Sequence, residues 1–165
     1  SGELESTVNF VDNLKQGEHK TYYESGDLKL TINYVNDLLQ GEENIYWESG
    51  KLKSTVNYVD GLKQGLYNEH FSFGNGYVFR YTGNYVDDLR QGEWKEYEYK
   101  MGSLYATVNY VDDLKQGESK EYYWDSTQLK ATVNYVDDLR QGEAKWYYES
   151  GELQATVNYV DGVKQ

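Results

Sequence analysis

Residues 84–99 read NYVDDLRQGEWKEYEY, and this stretch decides the fold because most of it recurs along the chain. The Asn-Tyr-Val motif, or a close variant, returns with spacings of 24, 24, 27, 25, 25 and 24 residues. Its asparagines are Asn9, Asn33, Asn57, Asn84, Asn109, Asn134 and Asn158. A Gln-Gly pair keeps the same period. A fixed period of this length is the signature of a repeat array.

The repeats organise the whole chain as one unit. The sequence predicts a single repeat-array domain over residues 1–165, with repeats that begin near residues 2, 26, 50, 76, 102, 127 and 151. The stretch ESGEL at 149–153 shows that the opening SGEL is ordinary repeat sequence, and the chain stops at Gln165, where the next glycine is due. We therefore expect a piece of a longer array.

Composition excludes several classes of function. The 165 residues contain no cysteine, which excludes disulfides, zinc-thiolate sites and thiol nucleophiles. The net charge of −12 argues against nucleic acid and anionic membranes as partners, because both would repel the chain. No segment approaches the roughly 20 apolar residues of a membrane span. The opening residues do not read as a signal peptide, so the sequence indicates no compartment.

Two short runs alternate in each repeat, for example LQATVNYV at 153–160 and GEAKWYYES at 142–150. Both are rich in threonine, valine and aromatic residues, which favour strands. The first link between runs is a pair such as Asp87-Asp88, whose residues tolerate the positive φ of a two-residue hairpin turn, and the second link contains a glycine. The predicted fold is all-β: an elongated, curved, single antiparallel meander of about seven β-hairpin repeats of 24–27 residues, with about thirteen strands.

The turns also predict the register of each hairpin. With a turn at residues 12–13, Val11 faces Leu14, and Val8 faces Gly17. One sheet face is then the more apolar, because side chains alternate along a strand. In a later repeat that face holds Leu129, Ala131, Val133, Tyr135, Gly142, Ala144, Trp146 and Tyr148. The glycine after the glutamine is expected to leave room for a neighbouring ring to lie across the strand.

The stretches DDLRQGEWKEYEY and DGLKQG resemble the MORN-variant repeats of bacterial proteins, including YwqK-type antitoxin repeats. The elements of that pattern are matched at Tyr58, Asp60-Gly61, Lys63, Gly65, Tyr147-Tyr148 and Gly151. The resemblance covers almost the whole chain and implies β-hairpin modules that form elongated, curved sheets and act as interaction scaffolds, not catalysts. The chain departs from the pattern where Asp-Asp replaces the turn glycine and Leu39 replaces the basic residue.

A second stretch, KWYYESGELQATVNYVDG at 145–162, resembles the aromatic hairpins of choline- and glucan-binding cell-wall modules. Those modules have a shorter period and a Gly-Trp start to the second strand, and both features are missing here. The tryptophans are Trp47, Trp94, Trp124 and Trp146, and they do not recur at one repeat position. This disfavours a regular tryptophan cage for a quaternary ammonium group.

The stretch LYNEHFSFGNGYVFRYTGNY at 66–85 is irregular, because the period lengthens to 27 residues and aromatic residues crowd together. Aromatic side chains supply large contact areas at low entropic cost, and arginine or histidine adds directional hydrogen bonds. The predicted binding residues are Tyr67, His70, Phe71, Phe73, Tyr77, Phe79, Arg80 and Tyr81. A structural interpretation competes with this one: Gly83 replaces the usual valine of the motif, so larger neighbours refill that volume.

The aspartate pairs raise the question of a repeated metal or catalytic site. Turns of successive repeats are expected about 9–10 Å apart, which is two strand spacings, whereas calcium needs six to eight oxygens at one point. Cations such as Arg90 also lie nearby in sequence and partly neutralise the turns. We interpret the pairs as hairpin turns and predict neither a metal nor a cofactor.

Catalysis has little support in the sequence. The two histidines, His19 and His70, occupy unrelated repeat positions, and no glycine-rich phosphate loop appears. An enzyme needs one unrepeated constellation, whereas this chain copies the same surface from repeat to repeat. The sequence therefore predicts a non-enzyme.

The predicted function is a scaffold for protein-protein interaction, with a tyrosine-rich sheet face and an acidic hairpin edge that suit a basic or extended protein surface. Repeated weak contacts would add up through avidity. A cell-wall carbohydrate or choline reader is the alternative, and a structural spacer or surface stalk is the second alternative. Open edge strands also predict end-to-end self-association.

Overall fold

The computed structural model describes residues 5–73, 76–98 and 101–165, and the side chains of residues 73, 76 and 77 lie outside that description. In this part of the chain no helix is long and apolar enough to cross a membrane. The strands of the described residues are β1 (Ser6–Thr7), β2 (Phe10–Val11), β3 (Leu14–Lys15), β4 (Gly17–Tyr22), β5 (Leu28–Val35), β6 (Leu38–Tyr46), β7 (Leu52–Val59), β8 (Leu62–Phe73), β9 (Gly76–Val86), β10 (Leu89–Tyr97), β11 (Leu104–Val111), β12 (Leu114–Lys115), β13 (Gly117–Tyr122), β14 (Leu129–Val136), β15 (Leu139–Arg140), β16 (Gly142–Tyr147), β17 (Leu153–Val160) and β18 (Val163–Lys164).

All the described strands except β2 and β3 form one large 16-stranded antiparallel sheet, in which neighbours along the chain are neighbours in the sheet. The order runs β1-β4-β5-β6-β7-β8-β9-β10-β11-β13-β14-β16-β17-β18, with β12 beside β11 and β15 beside β14. Strands β2 and β3 pair with each other at the tip of the first hairpin. The predicted all-β antiparallel meander is confirmed.

The two-residue turns adopt the predicted conformation. Asp87 and Asp88 have φ values of 49° and 68°, and Asp60 and Gly61 have values of 50° and 86°. Two successive positive φ angles define the hairpin turn whose twist matches that of the strands. The glycine of the second link also has positive φ, for example 90° at Gly151.

The glycine after the glutamine interrupts the returning strand of a hairpin. Next to the turn, Tyr135 pairs with Arg140. Farther along, Ala131 pairs with Trp146 instead of Ala144, the partner that an unbroken register would give. This bulge divides several returning strands into a short tip and a longer piece. It is the reason why the described residues contain more strands than the thirteen predicted.

The predicted register is therefore correct at the turn and wrong beyond the glycine. Val11 pairs with Leu14 as predicted. Thr7, however, pairs with Lys20, so Val8 lies opposite the bulge and not opposite Gly17 alone. A shift of two residues keeps each side chain on its original side, because side chains alternate with a period of two. The predicted apolar face is retained at Ala131, Val133 and Tyr135, but a second register shift pairs Leu129 with Tyr122 and places it on the other face.

The predicted role of the repeated glycine is wrong. The glycines at this position have φ between 71° and 82°, and they are Gly17, Gly41, Gly65, Gly92, Gly117 and Gly142. A Cβ placed on Gly41 or Gly142 would meet no heavy atom within 4 Å. The backbone conformation of the bulge requires glycine, and no ring fills the space above it.

The best-buried part of the sheet lies on the face that carries the tyrosines of the Asn-Tyr-Val motifs, here called the tyrosine face. Ile32 and Val56 are 3% exposed and Tyr58 is 8% exposed, and Leu39 packs against them. Leu39 therefore has a structural reason to replace the basic residue of the other repeats. It completes an apolar cluster where a cation would be desolvated.

Candidate functional site

A column of tyrosines runs along the tyrosine face. A cation from the turn end of the preceding hairpin lies over most of these rings. The Arg90 guanidinium carbon lies 4.0 Å from the centroid of the Tyr110 ring. The other pairs of the column are Lys15 with Tyr34 at 4.8 Å, Lys63 with Tyr85 at 5.1 Å, Lys115 with Tyr135 at 5.2 Å, and Arg140 with Tyr159 at 5.3 Å. Such contacts are attractive because the ring face is negative. They hold the turn-side cations on this face of the sheet.

The second residue of each Asp-Asp turn binds the preceding hairpin. The Asp113 carboxylate accepts hydrogen bonds from the backbone N–H of Arg90 at 2.9 Å and from its Nε at 2.7 Å. These hydrogen bonds lower the pKa of Asp113 below its usual value. Asp138 accepts a bond from the backbone N–H of Lys115 at 2.8 Å in the same way. The aspartate turns thus connect one repeat to the next.

The first turn residue is bound by a glutamine of the preceding repeat. Gln116 donates from Nε2 to Asp137 at 2.5 Å, and the backbone N–H of Asp161 donates to Gln141 Oε1 at 2.8 Å. The sequence analysis missed these links because it assigned each turn to its own hairpin. The available signal was a glutamine that recurs directly after the basic residue or its substitute, at Gln16, Gln40, Gln64, Gln91, Gln116, Gln141 and Gln165.

The turn carboxylates are engaged by these backbone, amide and guanidinium groups. Among residues 5–73, 76–98 and 101–165, no group of three or more His, Asp or Glu side chains is placed to hold one metal ion. The prediction that Asp87-Asp88 forms a hairpin turn is confirmed by its φ angles.

The tyrosine face changes character at Gly83, which lies beneath the Trp94 ring. A Cβ on Gly83 would overlap three atoms of that ring. The indole stacks on Tyr67, with centroids 5.7 Å apart and planes at 26°, and meets Tyr85 edge-on at 5.1 Å. The structural interpretation of Gly83 is confirmed, because a larger neighbour fills the volume that valine occupies in other repeats.

A groove of about 520 Å³ opens on the tyrosine face around these rings. Its aromatic lining consists of Tyr67, Tyr81, Tyr85, Trp94 and Tyr110. Two glutamates also line it, together with the cations Arg90, Lys95 and Lys115. Glu69 accepts hydrogen bonds from Tyr67 Oη and Arg80 Nη1, both at 3.1 Å. Glu96 accepts one from Tyr81 Oη at 3.1 Å, and within the described part of the chain no cationic side chain forms an ion pair with it.

Four of the predicted binding residues lie at or beside this groove. Tyr67 and Tyr81 line it. The Arg80 guanidinium carbon lies 5.0 Å from the Tyr81 centroid and 5.2 Å from that of Phe71. The groove thus brings together several rings, two carboxylates and three cations, and Arg80 lies beside it.

The other predicted residues do not join this group. His70 and Phe79 pair across β8 and β9 on the opposite face, with ring centroids 4.8 Å apart. His70 is 6% exposed, and burial lowers its pKa. The side chains of Phe73 and Tyr77 lie outside the described residues.

The sequence analysis missed Trp94, Tyr110 and Glu96 as groove residues. It searched within residues 66–85, whereas these side chains come from the next two strands of the meander. A signal was present in the repeats: Trp94 holds the position at which later repeats have Ser119 and Ala144. The large residue appears next to the repeat that has lost its valine.

Buried tyrosines make the fold sensitive to alkali. Burial raises the pKa of Tyr58 to about 12, and the nearby Glu43 carboxylate adds to the effect. A folded-state pKa above the unfolded value means that stability is complete below about pH 10 and is lost as the pH rises towards 12. We expect the urea midpoint to fall above about pH 10, and Tyr58→Phe to reduce this fall. Circular dichroism melts in urea at several pH values measure it; an equal fall in both proteins would contradict the assignment to Tyr58.

Three segments of the chain match one known family of repeats. Residues 15–36, 39–60 and 140–161 each match the family described as MORN repeat variant. MORN repeats are in general protein- or membrane-binding modules and are typically non-enzymatic. A search of the curated proteins finds no match.

One similar solved structure is the crystal structure of a GtfA/B complex bound to UDP and GlcNAc. It is 11% identical with a TM-score of 0.23, and the match covers 92% of this chain and 25% of that one. The chain therefore spans about a quarter of the length of that solved chain. The chain is a β-hairpin repeat array, and three of its segments match the MORN repeat variant family.

Proposed function

We propose that this array is a non-catalytic scaffold that binds another protein, one with a basic and extended surface, through the groove of the tyrosine face and the neighbouring acidic hairpin edge. The observation that carries the proposal is the groove at Gly83 and Trp94. It is the place where the repeat period lengthens and where the aromatic lining departs from the regular column.

The chemistry of the groove suits cationic side chains of a partner. Arg80, Lys63 and Arg90 already lie over Tyr81, Tyr85 and Tyr110, so a carboxylate, and not these ring faces, is the contact offered to an incoming cation. Glu96 has a hydroxyl partner but forms no ion pair with a cationic side chain within the described residues, so an incoming lysine or arginine can pair with it. The net charge of −12 would also steer a basic partner towards the chain.

The aromatic rings are less suited to choline or sugars. Trp94 stacks on Tyr67 and meets Tyr85 and Tyr110 edge-on, with centroids 5.1–6.3 Å apart. These rings pack face or edge against one another, whereas a quaternary ammonium cage directs several ring faces at one point. A carbohydrate or choline reader and an inert spacer are therefore alternatives that the binding experiment must separate.

Selection from a displayed library of random peptides, followed by calorimetry, tests the proposal. We expect the selected peptides to be rich in lysine or arginine, and Glu96→Gln to weaken them about tenfold, because a buried ion pair is lost. Glu93→Gln is the matched control. It removes the same charge one strand position away from Trp94, on the opposite face, where Glu93 pairs with Lys95 at 3.1 Å.

The outcomes are distinct. Selection of basic peptides that bind the Glu93 variant normally and the Glu96 variant weakly supports the proposal. Equal affinities for the two variants would place the contact elsewhere and contradict the groove. A choline or glycan panel that binds while no peptide is selected would favour the carbohydrate alternative, and no binding in either assay would favour the spacer.

A further inference from the structure

The face opposite the tyrosines carries an apolar strip beside the turns, here called the valine-leucine row. Each hairpin contributes the pair that closes its turn, and every member is 38–64% exposed. The row consists of Val11 with Leu14, Val35 with Leu38, Val59 with Leu62, Val86 with Leu89, Val111 with Leu114, Val136 with Leu139, and Val160 with Val163. A contiguous exposed apolar strip of this kind marks an interaction site more often than scattered surface residues do.

The margin of the row is negative. The cations nearest the turns lie on the other face, as Arg90 does over Tyr110. On the side of the row, Gln91 shares a face with Leu89 and donates from Nε2 to the Asp112 carboxylate. A neutral amide leaves the charge of that carboxylate uncancelled. The row is therefore an apolar strip bordered by aspartates, with neutral Asn and Gln side chains on its other border.

The spacing of the row matches one common secondary structure. Hairpins repeat along the sheet every two strands, or about 9.6 Å, and seven residues of an α-helix rise about 10.5 Å. We infer that the row between residues 86 and 139 binds an amphipathic helix of a partner protein, with apolar residues seven apart over successive valine-leucine pairs and lysines or arginines towards the aspartates. This site lies on the opposite face from the proposed groove and goes beyond it.

Charge favours a basic helix over the two other partners that an apolar strip suggests, a second copy of the chain and a membrane surface. A second copy of the chain would bring two aspartate margins together, each on a molecule of net charge −12. An anionic membrane surface would likewise be repelled. A basic amphipathic helix complements both the apolar strip and its margin.

A synthetic helical peptide with leucines on one face and lysines on the other is the probe. Two controls keep its length: one has the same residues shuffled so that the leucines surround the helix, and the other has glutamate for lysine. The variant is Val86→Thr, Leu89→Thr, Val111→Thr and Leu114→Thr combined, which keeps strand propensity and net charge. We expect it to bind the amphipathic probe about tenfold more weakly than the unchanged chain does, while the controls bind neither protein well.

Hydrogen exchange of the unchanged chain with the probe provides a test that does not depend on folding of the variant. Protection at the turns that flank Val86 and Val111 supports the inference. Equal binding of the shuffled peptide, protection confined to the groove, or equal affinity for a well-folded variant would overturn it. Two further results would overturn it if the peptide showed no binding. One is self-association in sedimentation, and the other is binding to phosphatidylcholine vesicles, in each case abolished by the threonine substitutions. All proteins in this comparison also carry Glu96→Gln, which weakens binding of lysine in the groove, so the two sites can fail separately.

Discussion

Gly83→Val is expected to destabilise the sheet by about 1–3 kcal/mol, the usual cost of forcing extra carbon atoms into a packed site. The new side chain would overlap the Trp94 ring, which lies directly over this backbone. The same valine is found in other repeats, for example Val108, so strand propensity does not explain the expected loss. The urea midpoint of the variant measures it.

The matched change on the other side of the contact is Trp94→Ser. Alone it leaves a gap above Gly83 and should also cost about 2–3 kcal/mol, somewhat less than for a fully buried ring. The double variant reproduces the residues at the corresponding positions of the next hairpin, Val108 and Ser119. We therefore expect the two costs to be strongly non-additive, with the double variant more stable than Gly83→Val alone.

The double-mutant cycle has a clear contradicting result. If the two losses simply add, the Trp94 ring does not compensate for the missing valine, and the structural explanation of Gly83 is wrong. The urea midpoint of each variant should be interpreted together with the slope of its unfolding transition, because a repeat array can unfold in parts.

Asp113→Ala is expected to cost about 2–3 kcal/mol, because it removes two things at once. Asp113 has a φ of 69°, which alanine adopts only with strain. Its carboxylate also accepts two hydrogen bonds from Arg90 in the preceding repeat. The change therefore strains one turn and disconnects two neighbouring hairpins.

Two other substitutions at Asp113 separate these causes. Glycine keeps the backbone conformation, as Gly61 and Gly162 do in their turns, and should cost about 1 kcal/mol. Asparagine keeps both the conformation and the acceptor oxygen and should cost least. Denaturant melts should give the order Ala, Gly, Asn from the largest loss to the smallest. An alanine variant as stable as the asparagine variant would show that the turn is not a connector.

Most of the fold was predictable because local chemistry specifies it. The period and the Asp-Asp or Asp-Gly pairs predict two-residue hairpin turns, and the positive φ angles of Asp87 and Asp88 confirm them. Alternation along each strand then assigns the apolar face. The bulge was not predicted, because a glycine in a strand is compatible both with a close ring contact and with positive φ.

The groove was only partly predictable. The aromatic crowding between residues 66 and 85 pointed to the correct region, and Tyr67 and Tyr81 line the groove there. Crowding in sequence does not specify the side, however. His70 lies on the opposite face because side chains alternate along β8, and Phe79 joins it there because Arg80 is an extra residue in β9. Trp94 joins the groove from the next strand, a contact that exists only after the hairpins pair.

Calorimetric titration of a selected basic peptide into the unchanged chain and into the Gly83→Val, Trp94→Ser double variant tests the central claim most directly. The double variant is expected to keep a urea midpoint close to that of the unchanged chain while it loses the indole of the groove. We expect at least about a tenfold loss of affinity with the fold intact. Unchanged affinity in a folded double variant would contradict it.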